Sequence, residues 1–192
     1  ATYIPAFVGL GFSAKTLNVG YAPKQPVPFS HALHAGELGM DCRYCHNTVE
    51  RGSGAAVPPA ETCMNCHSMV AKDSEKLEPI RKAFATGEPV AWRRVHLLPD
   101  YAYFDHSVHL AAGVGCASCH GRIDQMEVVA QSEPLSMGWC LECHRNPEPH
   151  LRPKAEVTNM EWNQMREGYD PHKDVDRTRM PNPPQHCSGC HR

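Results

Sequence analysis

The chain has no run of eighteen apolar residues, so no complete transmembrane helix lies within its 192 residues. Aromatic residues are scarce, at 7%, and an ordinary core for a chain this long would want more large apolar side chains. Neither sign of charge dominates: 19 Lys and Arg face 21 Asp and Glu, a formal charge of −2. That balance gives no basic surface for nucleic acid. No βαβ pattern is present, and no cysteine stands alone. Charged residues at 21% and hydrophobic residues at 41% exclude both a disordered chain and a membrane bundle.

What is abundant is cysteine in pairs. All ten Cys fall into five Cys-x-x-Cys pairs, each followed at once by His. The runs are Cys42-Arg-Tyr-Cys45-His46, Cys63-Met-Asn-Cys66-His67, Cys116-Ala-Ser-Cys119-His120, Cys140-Leu-Glu-Cys143-His144 and Cys187-Ser-Gly-Cys190-His191. Structural zinc also uses such pairs, two to a metal, yet places no demand on the residue after the second Cys. A disulfide framework makes no such demand either. A thioredoxin-like pair would be single and set in a βαβ unit. Cys-x-x-Cys-His is the attachment signal for c-type haem. Two thiols two residues apart reach the two vinyl groups of one porphyrin, and the adjacent His supplies the proximal nitrogen to iron. The sequence therefore predicts five covalent haems c, with His46, His67, His120, His144 and His191 as proximal ligands.

Five porphyrins are large apolar plates, and they explain how so few aromatics suffice. The expected fold is that of a multihaem cytochrome c. Short α-helices and irregular backbone, with 17 Pro, wrap the haems, with little or no sheet. The haem propionates make the surface more acidic than the formal charge implies.

The sequence also repeats. Phe29-Ser-His31-Ala-Leu-His34 precedes the first haem motif, and Phe104-Asp-His106-Ser-Val-His109 precedes the third. Both pass through a Gly (Gly39, Gly115) into the motif, and a further motif follows each. The offsets are 75, 74 and 77 residues (29 to 104, 42 to 116, 63 to 140). A two-haem module thus occurs at 29–67 and again at 104–144. Residues 1–28 form an N-terminal extension whose apolar start, Ile4 to Phe12, reads as a membrane-anchor remnant, the start of a mature chain, or a strand or loop packed on a partner. Asn18 to Pro28 reads as an extended linker. Residues 68–103 connect the modules and include a short helix from Pro79 to Thr86, with Gly87 as its stop. Asp73 to Lys82 mixes both charge signs, as a solvated face does. Residues 145–192 form a C-terminal arm with the fifth haem, either a long surface loop or a strap along a partner subunit.

Eight His remain for the second axial positions: His31, His34, His96, His106, His109, His150, His172 and His186. A His-x-x-His pair on a helix lies on one face with diverging directions, so it can serve two irons. His96, directly before the second module, is the expected fifth distal ligand, with His150, His172 and His186 as fallbacks. Met160, Met165 and Met180 are alternatives that would raise a haem's potential, although ordinary packing explains them too.

The Phe-x-His-x-x-His runs resemble those of the cytochrome c3 and c7 families. That resemblance implies that His31 ligates the haem on Cys42/Cys45 and His106 the haem on Cys116/Cys119. It also implies that His34 and His109 each cross to another haem. The surrounding words resemble the pentahaem subunit of alternative complex III. They are Pro28 through His46, Trp92-Arg-Arg-Val-His96 through Asp105-His-Ser-Val-His109, and Met137-Gly-Trp-Cys-Leu-Glu-Cys-His-Arg145. The likeness covers roughly residues 22–152 and the last haem motif; 153–186 do not share it. It implies a subunit of a membrane-bound quinol oxidoreductase, membrane-associated on the periplasmic side. Its partners would be an iron–sulfur subunit, a monohaem cytochrome and a soluble acceptor, with quinol oxidised in another subunit. No catalytic residue is expected in this chain. Two other readings use the same motifs: a multihaem reductase with one open iron, or a free periplasmic shuttle.

Overall fold

The computed structural model describes residues 3–11, 18–165, 168–175 and 182–191. Among these, nine α-helices are joined by 3₁₀ turns and irregular backbone, and no strand forms. The β-type pairing that occurs is limited to isolated bridges, Ala102 with His191 and Val114 with Leu151. Among the described residues no helix is long and apolar enough to cross a membrane. Short helices and irregular backbone, with no strand among the described residues, match what the five motifs and the scarcity of aromatics predict.

The helices follow the motifs. α1 (Tyr3–Gly11) precedes α2 (Cys42–Cys45) and α3 (Ala60–His67), which carry the first two cysteine pairs. α4 (Glu78–Thr86) is the expected connecting helix. It starts one residue earlier than the sequence suggests, so Pro79 is its second residue. Gly87 ends it at φ 74°, donating its N–H to the Ala83 carbonyl at 2.9 Å, a conformation that favours glycine. α5 (His106–Ala111), α6 (Ala117–His120) and α7 (Met137–Arg145) follow, the last two at the third and fourth cysteine pairs. α8 (Pro171–Asp174) and α9 (Cys187–Cys190) lie in the arm. Short polar side chains start several of them: Asp41 accepts from the Arg43 N–H, Asp105 from Ser107, and Ser136 from Trp139.

The first His-x-x-His run departs from its repeat. His31 leads into a π-helical turn over Ala32–Glu37, closed by the Leu38 N–H on the Leu33 carbonyl at 2.9 Å. Single π turns are frequent at functional sites. This one packs on residues 123–125, where Gly36 meets the Asp124 carbonyl so closely that a Cβ would not fit. The second run forms the regular helix α5.

Long-range hydrogen bonds tie the chain together. The 18–28 segment is not loose: Gly20 donates to the Gln131 carbonyl at 2.8 Å, and Gln131 donates to Tyr21 at 3.1 Å. Gln25 pairs with the Arg93 backbone through both amide atoms, at 2.8 and 2.9 Å. The start of α5 rests on the first module's loop, with Ser107 donating to the Gly52 carbonyl at 3.3 Å.

The polypeptide core is small. Among the described residues its buried apolar members are Val27, Val49, Ile80, Ala83, Leu151, Val157 and Val175, none of them aromatic. The chain exposes 13069 Å² of surface. A compact monomer of 21.3 kDa exposes about 9,100 Å². The surplus includes apolar side chains interleaved with the motif residues: Leu33 between His31 and His34, Tyr44 between Cys42 and Cys45, and Val108 between His106 and His109 are 43%, 46% and 51% exposed.

Candidate cofactor sites

The spacing i, i+3, i+4 puts each motif's two thiols on one face of its short helix, with the His beside them. None of the ten thiols is in a disulfide. Among the described residues, no three His, Cys, Asp or Glu side chains gather as a metal-ion cage. The pairs are therefore not arranged as structural zinc sites.

The imidazoles are paired instead. The ring centroids of His34 and His67 lie 6.1 Å apart, those of His106 and His120 6.5 Å, and those of His109 and His144 6.2 Å. Two imidazoles bound through Nε2 to one iron, each nitrogen about 2 Å from it, have centroids roughly 6.3 Å apart. His31 is held near His46: its pKa falls to about 4, through burial first and then the neighbouring imidazoles of His46 and His34. His120 falls further, to about 3, because burial is joined by His96, His106, His46 and His31. Burial also lowers His109.

Backbone carbonyls orient most of these rings through Nδ1. His34 bonds Ser30 at 2.8 Å, His46 bonds Ala56 at 2.7 Å and His67 bonds Val70 at 2.9 Å. His106 bonds Ser53 at 2.6 Å, His109 bonds Asp105 at 2.7 Å and His144 bonds Pro184 at 2.7 Å. Such a bond fixes the tautomer with Nε2 as the free donor atom and sets the ring plane, as second-shell partners do for metal-bound His. Phe29 and Phe104 add matching supports. Each stacks on the second His of its run, with centroids 4.4 and 4.7 Å apart, and meets the first edge-on. The donor set, its tautomers, its spacing and the half-exposed apolar walls all fit haem c.

The thiols show how the motifs lie relative to one another. Cys42 and Cys116 act on each other as neighbours, which draws the Cys42 thiol down and pushes Cys116 up. Cys45 is raised by burial and then by Cys63. Burial, then Cys143 and Cys140, push Cys119 up to about 12. Cys140 is raised by burial and then by Cys190. These influences pair the second motif with the first, the first with the third, the third with the fourth and the fourth with the fifth. The exposed cysteines, Cys66 and Cys187, belong to the two outer motifs.

The remaining candidates lie elsewhere. His96 packs edge-on against His120, with centroids 4.4 Å apart, and its Nε2 is buried without a hydrogen-bond partner. The ring packed against His191 is that of Tyr101, at 5.8 Å, beside the Ala102 bridge. His150 is half-buried in a 3₁₀ turn, and His172 is exposed in α8. His186 is exposed and caps α9. Met160 is half-buried, Met165 is 91% exposed, and Met180 lies outside the described residues. The carbonyls that orient the imidazoles were not singled out from sequence. Those of Ser30 and Asp105 lie within the Phe-x-His-x-x-His runs, while those of Ala56, Val70, Ser53 and Pro184 belong to segments with no side-chain signature.

Two family comparisons divide the chain between them. Residues 12–90 match the class III cytochrome c family. Residues 102–192 match cytochrome c7 and related cytochromes c. A curated relative, the multihaem cytochrome c subunit of menaquinone reductase from Nitratidesulfovibrio vulgaris, is 33% identical over 123 residues. That match covers 60% of this chain and 58% of the relative, so less than two thirds of the relative's length is spanned. With one c3- or c7-type match on each side of the duplication, the chain is a multihaem c-type cytochrome, an electron carrier built round covalently attached haem c.

Proposed function

We propose that the chain binds five haems c and serves as the electron-relay subunit of a membrane-bound, quinone-linked oxidoreductase. The observation that carries this reading is the set of imidazole pairs at 6.1, 6.2 and 6.5 Å together with the end-to-end order of the thiols. The assignment is His31 with His46, His34 with His67, His106 with His120, and His109 with His144. The fifth site takes its proximal ligand from His191. His96, lodged against His120, is assigned no iron.

Each haem, when bound, supplies a one-electron couple. The chain's own part is position and coordination. At the four sites with two imidazoles no coordination position is left for a substrate, which supports a carrier rather than a reductase at those sites. The thiol neighbourhoods set the five sites in a row, so an electron entering beside one outer motif leaves beside the other. Both outer motifs carry an exposed cysteine, which suits them to meeting partners.

The quinone link rests on two likenesses: the words shared with the alternative complex III pentahaem subunit, and the relative's name as a menaquinone reductase subunit. The first runs electrons away from quinol and the second toward menaquinone; their common class is adopted here. Partners would be an iron–sulfur subunit, a monohaem cytochrome or a soluble acceptor, on the periplasmic side of the membrane. Quinone chemistry belongs to another subunit.

The attachment assignment has a direct check. Intact mass of the exported protein is expected to show five haem additions, and replacing Cys63 and Cys66 together by Ala is expected to remove one. A parent carrying fewer than five would overturn the assignment.

A further inference from the structure

Arg152 is 5% exposed, in the segment that follows α7. Its backbone N–H donates to the Gly113 carbonyl at 2.8 Å, and the preceding Leu151 bridges Val114. Its Nη1 donates to the Asn159 carbonyl at 2.9 Å, and its Cζ lies 5.9 Å from the centre of the Trp162 ring. Its Nε is buried without a hydrogen-bond partner. Among the described residues the ion pairs engage Arg43, Arg122 and Lys173, and none engages Arg152. Glu156 accepts from the Asn159 amide at 2.8 Å and makes no ion pair with Arg152, acting on it only at a distance.

An unpaired guanidinium so deep is costly to hold. Burial lowers its pKa, but an Arg side chain does not lose its proton in a protein. The surroundings tell where the charge acts. A Cβ on Gly115 would land on the guanidinium, so the residue just before Cys116 has no side chain in its way. Cys116 itself donates its N–H to the Val157 carbonyl at 3.0 Å, within the loop that Arg152 opens. The 151–159 loop therefore wraps the third motif and presses a cation against it.

We propose that Arg152 raises the reduction potential of the haem held by Cys116 and Cys119. This rests on the attachment assignment above. On reduction that site gains one electron and its net charge falls by one. A fixed positive charge at the edge of the site, in surroundings that screen it poorly, favours the reduced state. No proton need move. The third motif is the middle of the row, so the effect favours an electron at the centre of the relay more than it would be favoured without Arg152.

The test uses the haem-loaded chain and three variants, Arg152→Gln, Arg152→Met and Arg152→Lys, each followed by an optical redox titration. Haem content is measured first; a parent with fewer than five haems defeats the underlying assignment rather than this proposal. With five haems present, Gln and Met are expected to lower one potential and leave the others in place, while Lys keeps it near the parent value. Combining Arg152→Gln with His106→Ala identifies the haem, because the carbon-monoxide-binding haem of that background is the one expected to shift. Unchanged potentials in Gln and Met would overturn the proposal. So would equal shifts in Lys and Gln, or a drop in melting temperature with no change of potential, which would mark Arg152 as a packing residue.

Discussion

Replacing His106 by Ala is expected to make one haem in five bind carbon monoxide after reduction, beyond whatever the parent binds. Cys116, Cys119 and His120 remain, so haem content stays at the parent value. What is lost is the second imidazole, whose ring stands 6.5 Å from that of His120 in a nearly parallel plane, 11° apart. Iron with one axial nitrogen has an open position, and its spectrum moves from low to high spin. Because the third motif is the middle of the row, electron passage between the outer sites should slow by orders of magnitude. His96→Ala is the informative contrast. Its ring also touches His120, at 4.4 Å, but at a separation too short for an iron between the two. That variant is expected to gain no carbon monoxide binding. A gain with His96→Ala and none with His106→Ala would exchange their roles.

The second large effect concerns folding. Without haem attachment the chain is expected to have little helix and no cooperative thermal transition. The described core holds seven buried apolar residues, the largest of them Ile80 and Leu151, and no side chain of the described residues is fully enclosed. A buried Leu or Ile contributes about 1.5–3 kcal/mol, while ordering the backbone costs about 1–2 kcal/mol for every residue. Helices of four residues, such as α2, α6, α8 and α9, do not persist alone. The missing burial must come from porphyrin faces against side chains such as Leu33, Tyr44 and Val108. Far-ultraviolet circular dichroism of the chain made in the cytoplasm, without attachment machinery, checks this. A sharp two-state melt of that material would contradict it.

Much of the fold and the site was legible because covalent chemistry constrains local sequence. Thioether attachment needs two Cys and a His at fixed spacing, so each motif announces both its position and its helical turn. The Phe-x-His-x-x-His runs were equally visible in the sequence, and each sets two imidazoles against its own Phe ring. Long-range partners were not. Nothing near Ser53 or Pro184 in the sequence says that their carbonyls fix His106 and His144. His96 shows the same limit: its place directly before the second module makes it the expected fifth distal ligand, while its packing on the His120 ring at 4.4 Å has no signal in the sequence. The π turn at Ala32–Glu37 depends on the close approach of Gly36 to Asp124, a contact across some ninety residues of chain. Arg152 looked like one more charge in a Pro-rich arm, and only its burial against Gly115 sets it apart.

The central claim is the row of sites, and the iron positions test it most directly. An anomalous difference map at the iron edge, from crystals of the haem-loaded protein, is expected to show five peaks in a single file. Read along that file, they should belong to the motifs at Cys63, Cys42, Cys116, Cys140 and Cys187, with the Cys42 and Cys116 sites adjacent. A map in which the Cys116 iron sits at an end, or in which the Cys63 iron is nearer to the Cys116 iron than the Cys42 iron is, would contradict the account.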